Sequence, residues 1–112
     1  MFAKQNRLAH TRDVQRVFAA GRSFFGPYFT IRFLAAPRPP RITVSISTKV
    51  AKSAVRRNRV KRVVRELMRV NLSRLAVGDY LLVVRPTAVK CVNAEIRASL
   101  EQQLLKCRLL RP

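Results

Sequence analysis

"SAVRRNRVKRVVRELMRVNL", residues 53–72, is the stretch on which the fold turns. At 100° per residue, Val60, Val63, Val64, Leu67 and Val70 collect in one stripe. Arg57, Asn58, Lys61, Arg62, Arg65 and Arg69 lie opposite, with Arg59 on the flank. The spacing predicts a helix from Ala54 to Leu72, with Ser53 as its cap. Its polar face is almost wholly cationic, since residues 56–66 alone hold six Lys or Arg. A solvated helix face ordinarily mixes signs. Here Arg57 and Lys61, Lys61 and Arg65, and Arg65 and Arg69 are like-charged i,i+4 pairs, each destabilising an isolated helix by roughly 0.2–0.5 kcal/mol. A phosphate-bearing partner would turn that repulsion into attraction. Asn58 adds a donor and an acceptor suited to sugar or base edges.

Strand patterns flank this helix. In Tyr28–Ala35, Phe29, Ile31 and Phe33 point one way and Tyr28, Thr30 and Arg32 the other. In Arg41–Ser47, Ile42, Val44 and Ile46 alternate with Thr43, Ser45 and Ser47. A short strand at 23–25 comes first, ended by Gly26-Pro27, and Pro37-Arg38-Pro39-Pro40 forms a stiff turn. After the helix, Gly78-Asp79 is expected to turn the chain into a last strand, 80–85, ended by Pro86. Its near-continuous apolar run predicts a central position or burial on both faces.

Helices close both ends. Thr11–Ala20 has Thr11 as its expected cap, Asp13 in its first turn and Gly21 as its stop, with Val14, Val17 and Phe18 in one stripe. Asn93 is expected to cap a final helix, 94–108, with Ile96, Leu100, Leu104 and Cys107 facing inward. The order is α-β-β-β-α-β-α, an α+β two-layer sandwich with helices packed on a four-stranded sheet. At 112 residues, 1–112 form a single domain.

The charge narrows the partner. Twenty-four Lys and Arg against five Asp and Glu give a net +19, while 48% hydrophobic residues allow a packed core. Such a charge on a small globule points to a polyanion, and the excess of Arg over Lys suits bidentate phosphate contacts. Nucleic acid is favoured over a basic membrane surface. No apolar run reaches signal-peptide or membrane-spanning length, so a cytoplasmic protein with no membrane partner is expected. Cys91 and Cys107 lack the spacing of a zinc site, and two half-buried thiols are expected.

The acids argue against catalysis by this chain. Asp13, Glu66, Asp79, Glu95 and Glu101 are scattered over different elements. Asp13 reads as helix-terminal, Asp79 as a turn residue and Glu66 as a partner for Arg62 or Arg69. His10, the sole histidine, precedes a helix and has no evident acid partner. No catalytic residue and no metal ligand is assigned. A second candidate surface is the polar sheet face, with Tyr28, Thr30, Arg32, Thr43, Ser45 and Ser47. Val14 and Phe18 lie at its edge, or else belong to the core. Rings, hydroxyls and cations together suit a single strand.

The residues of the basic helix resemble the signature of the bacterial ribonuclease P protein subunit, R-N-x-x-K-R-x-x-R, through Arg57, Asn58, Lys61, Arg62 and Arg65, with Arg59 completing the RNR triplet. "SISTKVAKSAVRRNR", "RLAHTRDVQRVFAAGRSF" and "DYLLVVRPTA" are similar to its other segments, so the resemblance spans roughly residues 6 to 106. It implies a left-handed βαβ crossover around the basic helix, against the usual hand. It also implies an accessory subunit of an endoribonuclease that removes the 5′ leader of precursor tRNA. Catalysis and Mg2+ would reside mainly with the RNA subunit and substrate. Carried over by position, Arg57, Asn58, Arg59, Lys61, Arg62, Arg65 and Arg69 would contact ribonuclease P RNA. Val14, Phe18, Arg32, Ser45 and Lys52 would line the cleft for the precursor tRNA leader. No protein partner is called for. Val14 and Arg32 stand where some members carry aromatic residues, which bears on leader preference. A structural RNA-binding protein and a freestanding nuclease are the alternatives.

Overall fold

Alternation along the strands sorts the sheet into two faces, and each face carries helices. In the computed structural model, which describes residues 3–49 and 51–112, the chain runs α1 (Thr11–Ala20), β1 (Arg22–Phe25), β2 (Phe29–Ala35), β3 (Arg41–Ser45), α2 (Ala54–Val70), β4 (Gly78–Val84), α3 (Pro86–Val89) and α4 (Asn93–Lys106). Short 3-10 turns lie at Lys4–Asn6 and Leu72–Arg74. The sheet order is β1-β2-β4-β3. β1–β2 and β2–β4 are antiparallel, whereas β3 and β4 are parallel and are joined through α2. β4 is therefore an interior strand, which accounts for its apolar run.

One face supplies Phe29, Ile31, Phe33, Ile42, Val44, Tyr80, Leu82 and Val84 to the main core. Val60, Val63, Val64, Leu67 and Met68 of α2 and Ile96, Leu100 and Leu104 of α4 cover them. Fully burying each such side chain contributes about 1.5–3 kcal/mol, so this layer dominates stability. The opposite face is not bare. α1 crosses it through a small second cluster of Leu8, Val17 and Leu81, with Val14, Leu34 and Val83 packed around it.

Several local expectations shift. Thr11 is the first helical residue of α1, and His10 occupies the cap position with no side-chain hydrogen bond. The strand from Arg41 stops at Ser45, because the Ser47 hydroxyl accepts the Lys49 N–H in a turn at 2.9 Å. α2 ends at Val70, where the buried Asn71 amide donates to the Leu67 carbonyl at 2.8 Å and caps the helix. Val70 is 58% exposed and Met68 takes its place in the core. The two flank the stripe at about 80° on either side, so the packing partner decides between them.

Gly78 and Asp79 begin β4 instead of forming a turn. Gly78 has φ +145°, and a Cβ there would lie 2.5 Å from the Leu34 carbonyl oxygen, so only glycine fits. Asn93 is the first residue of α4, not its cap, since its side-chain oxygen is taken by Arg59. α4 ends at Lys106, with Cys107 half-buried beyond it. The short α3, begun by Pro86, lies between β4 and α4 as an additional element. Cys91 is also half-buried and unpaired.

Candidate nucleic-acid interface

From Arg57 onward, the cationic and amide side chains of α2 divide into two groups. Ser53 caps the helix, its hydroxyl accepting the Arg56 N–H at 3.4 Å. Arg57 folds back on the loop before the helix, donating to the Ala51 and Lys52 carbonyls at 2.7 and 2.9 Å. Arg59 turns inward, donating to the Val89 and Cys91 carbonyls at 2.9 and 3.2 Å and to Asn93 Oδ1 at 2.6 Å. It thereby ties α2 to the end of α3 and the start of α4. Arg69 is paired with Glu66 through a two-point contact at 2.5 and 3.1 Å. That hydrogen bond holds the Glu66 carboxyl below its usual value. Of the two partners expected for Glu66, the structure selects Arg69.

Asn58, Lys61, Arg62 and Arg65 form the second group. Among the described residues, none of their side chains makes a hydrogen bond or ion pair. Asn58, Arg62, Arg65 and Glu66 line a shallow groove of about 450 Å3 along the helix. Arg65 reaches a second cavity of about 440 Å3, bounded by Arg7, Thr11, Val14, Thr43 and Val44. The free helix face and the edge of β3 thus meet at one guanidinium.

Of the residues expected in a cleft, Val14 both packs against the small cluster and faces that cavity. Phe18 is 60% exposed and is not a core residue. The Arg32 guanidinium carbon sits 4.3 Å from the Phe18 ring centroid, and Arg32 Nη1 donates to the Phe18 carbonyl at 2.9 Å. Ser45 is exposed at the end of β3, in register with Val83. Lys52 lies apart from Val14, in a concavity shared with Arg56 and Lys90.

Strand register adds a residue that sequence reasoning missed. Phe25, Thr30, Val83 and Ser45 form one row across all four strands, on the same face as α1. Phe25 is 75% exposed there. Alternation alone shows that Phe24 and Phe25 must point oppositely, but only the register with Thr30 says which faces the α1 side. The acids sit elsewhere. Asp79 is 1% exposed, and its two oxygens accept from Arg41 Nε and Nη2 at 2.8 and 2.7 Å, with Arg38 at 3.1 Å. Among the described residues, no three His, Cys, Asp or Glu come together as a metal-ligand set. None of the described helices is long and apolar enough to cross a membrane.

Fold and surface together define a small α+β domain with a one-sided cationic helix beside an open sheet row. Comparison with known proteins gives that class a family. The Ribonuclease P family model matches residues 2–108. The chain is 36% identical to the ribonuclease P protein component of Microcystis aeruginosa, covering 94% of this chain and 92% of that protein. It is 38% identical over 96 residues to that of Xanthomonas campestris, spanning 86% of this chain but 65% of the longer relative. The fold superposes on the RNase P protein of Staphylococcus aureus with a TM-score of 0.89 at 27% identity, covering 96% of this chain and all of that one. It superposes on that of Thermotoga maritima with a TM-score of 0.79 at 27% identity, covering 89% and 96%. The chain belongs to the ribonuclease P protein family, whose members are accessory subunits of a tRNA-processing endoribonuclease and imply an RNA partner.

Proposed function

We propose that the face of α2 bearing Asn58, Lys61, Arg62 and Arg65 docks on ribonuclease P RNA, while the sheet row beside α1 holds the single-stranded 5′ leader of precursor tRNA. The observation that carries this reading is the division of the arginines. On α2, Arg62 and Arg65 have no hydrogen-bond or ion-pair partner among the described residues, whereas Arg57, Arg59 and Arg69 are held by main-chain carbonyls, Asn93 or Glu66. A surface with free guanidinium groups beside one uncommitted amide suits phosphates and sugar edges. In this reading Arg57 and Arg59 shape the surface by holding the N-terminal half of α2 to the loop before it and to the α3–α4 junction, and Arg69 joins it once drawn off Glu66.

The leader would lie over Thr30, Val83 and Ser45, with Phe18 and Phe25 as stacking faces and Arg32 and Lys52 as phosphate donors. On the same reading, hydrolysis and its Mg2+ belong to the RNA subunit and substrate, in the cytoplasm, which fits the lack, among the described residues, of any three His, Cys, Asp or Glu grouped as metal ligands. The protein's own work is to raise precursor affinity and hold the leader. Reconstitution with bacterial ribonuclease P RNA at low magnesium tests it. Stimulated removal of the 5′ leader is expected. Failure to stimulate overturns the reading, and cleavage without added RNA would instead identify a freestanding nuclease.

A further inference from the structure

We propose that Arg41 and Asp13 are positioning residues for the cleft: Arg41, anchored on buried Asp79, holds the first turn of α1 against the sheet and so sets where Val14 and Phe18 stand. This rests on the leader cleft proposed above. Neither residue lines the cavity beside Val14, so they act through α1.

The need for such a device follows from how little else holds α1. Its single buried residue is Val17, whereas α2 buries five. A helix packed through one fully buried side chain, with only the half-buried Val14 beside it, can tilt or slide about that contact, and Val14 and Phe18 lie on either side of it. The structure ties α1 down at both ends. At its C-terminal end, Arg32 of β2 donates to the Phe18 carbonyl. At its N-terminal end, Arg41 Nη1 donates to Asp13 Oδ2 at 3.2 Å, while Arg16 lies 3.8 Å from the other oxygen.

The geometry of Arg41 makes it a rigid post. Its Nε and Nη2 form a fork on both oxygens of Asp79, its register partner in the parallel pair. That fork fixes the guanidinium plane and leaves Nη1 to face Asp13. Arg41 and Asp13 side chains are 17% and 18% exposed, so their attraction is screened less than that of an open surface pair. Phe18 is five residues beyond Asp13, about 7.5 Å along the helix axis. Loosening one end therefore displaces the ring at the other.

The test compares Asp13→Asn, Asp13→Glu and Phe18→Ala, in the free protein by amide hydrogen exchange and in the holoenzyme by affinity for leader-bearing precursor against mature tRNA. Asp13→Asn removes the charge and nearly keeps the shape. Faster exchange over α1 is expected, with α2 and β4 unchanged. Preference for precursor should fall about three- to tenfold, at or below what loss of one stacked base costs, while assembly on the RNA stays within about twofold. Asp13→Glu should recover part of the preference. Adding Asp13→Asn to Phe18→Ala should cost less than it does alone. Arg41→Lys, which keeps a cation beside Asp79 without the fork, should likewise speed exchange over α1 and lower the preference, with β4 also affected beside Asp79, should Asp13→Asn fold poorly.

Unchanged exchange over α1 overturns the inference whatever happens to precursor binding. Faster exchange with wild-type preference, while Phe18→Ala loses it, removes Asp13 as a positioning residue and leaves the cleft standing. Loss of preference in neither variant overturns the cleft and this inference together.

Discussion

Arg59 and Arg62 are three residues apart on one helix, within one motif, and they have opposite employment. Arg59 spends its donors on two main-chain carbonyls and an asparagine oxygen, whereas Arg62 has no partner among the described residues. The same contrast separates Arg41, clamped between two aspartates, from Arg65, open to two cavities. A net +19 is thus two populations of charge. One replaces missing apolar contacts inside a small domain, and the other is left outside for a polyanion. Substitutions that tell the populations apart are the way to test the division.

The largest effect is expected at Arg41. Arg41→Met leaves buried Asp79 with Arg38 alone and should cost about 2–4 kcal/mol in urea unfolding. Acid should act in the same direction. Burial pushes the Asp79 carboxyl up, but hydrogen bonds from Arg41 and Arg38 outweigh that and leave it below its ordinary value. A depressed folded value means the contribution is intact above about pH 4, the unfolded carboxyl's range, and is lost as pH falls through the lower folded value. Stability should therefore decline below that range in the wild type. Asp79→Asn should flatten the decline, and an unchanged acid limb would show that Asp79 is not the group responsible.

Arg59 comes next. Arg59→Met keeps the aliphatic stem and strips two carbonyls and Asn93 of their donor, costing about 1–2 kcal/mol. Its effect on RNA assembly should be no larger than the loss of stability explains. A variant of native stability with weakened assembly would move Arg59 into the free population.

How much of this division was legible beforehand differs by scale. The stripe from Val60 to Leu67 and the alternation in β2 and β3 were read directly, because period and face are properties of one segment. Met68 against Val70, and Gly78-Asp79 as strand against turn, depended on what packs alongside. Asp79 looks like a loop residue until Arg41 is placed opposite it, and their register is a long-range fact. The cationic helix face was evident as a whole, but composition treats every arginine alike. Only the carbonyls at the end of α3 distinguish Arg59 from Arg62. Phe25 was hidden for the same reason: its side of the sheet is set by pairing with Thr30.

For the free population the expectation reverses. Arg65→Ala should leave the unfolding midpoint unchanged, since its side chain has no hydrogen-bond or ion-pair partner among the described residues, and should weaken holoenzyme assembly. The slope of log K against log salt should fall by about 1, as for one lost phosphate contact. Lower stability with an unaltered slope would place Arg65 with Arg41 and Arg59, and the distinction would fail at its clearest member.

The smallest effect, at Glu66, tests whether the boundary between the populations can be moved. Glu66 and Arg69 are both exposed, and their pair on the helix surface has little bearing on the fold. Glu66→Gln should therefore leave the unfolding midpoint where it is. Arg69 would, however, lose the carboxylate that now engages two of its nitrogens, on the groove that Asn58, Arg62 and Arg65 also line. The variant should bind ribonuclease P RNA more tightly at low salt and raise the salt slope by up to about 1, since one more guanidinium is free for phosphate. The gain should vanish in Glu66→Gln combined with Arg69→Ala. Weaker binding instead would mean that Glu66 orders the cationic face and that Arg69 serves the RNA only while paired.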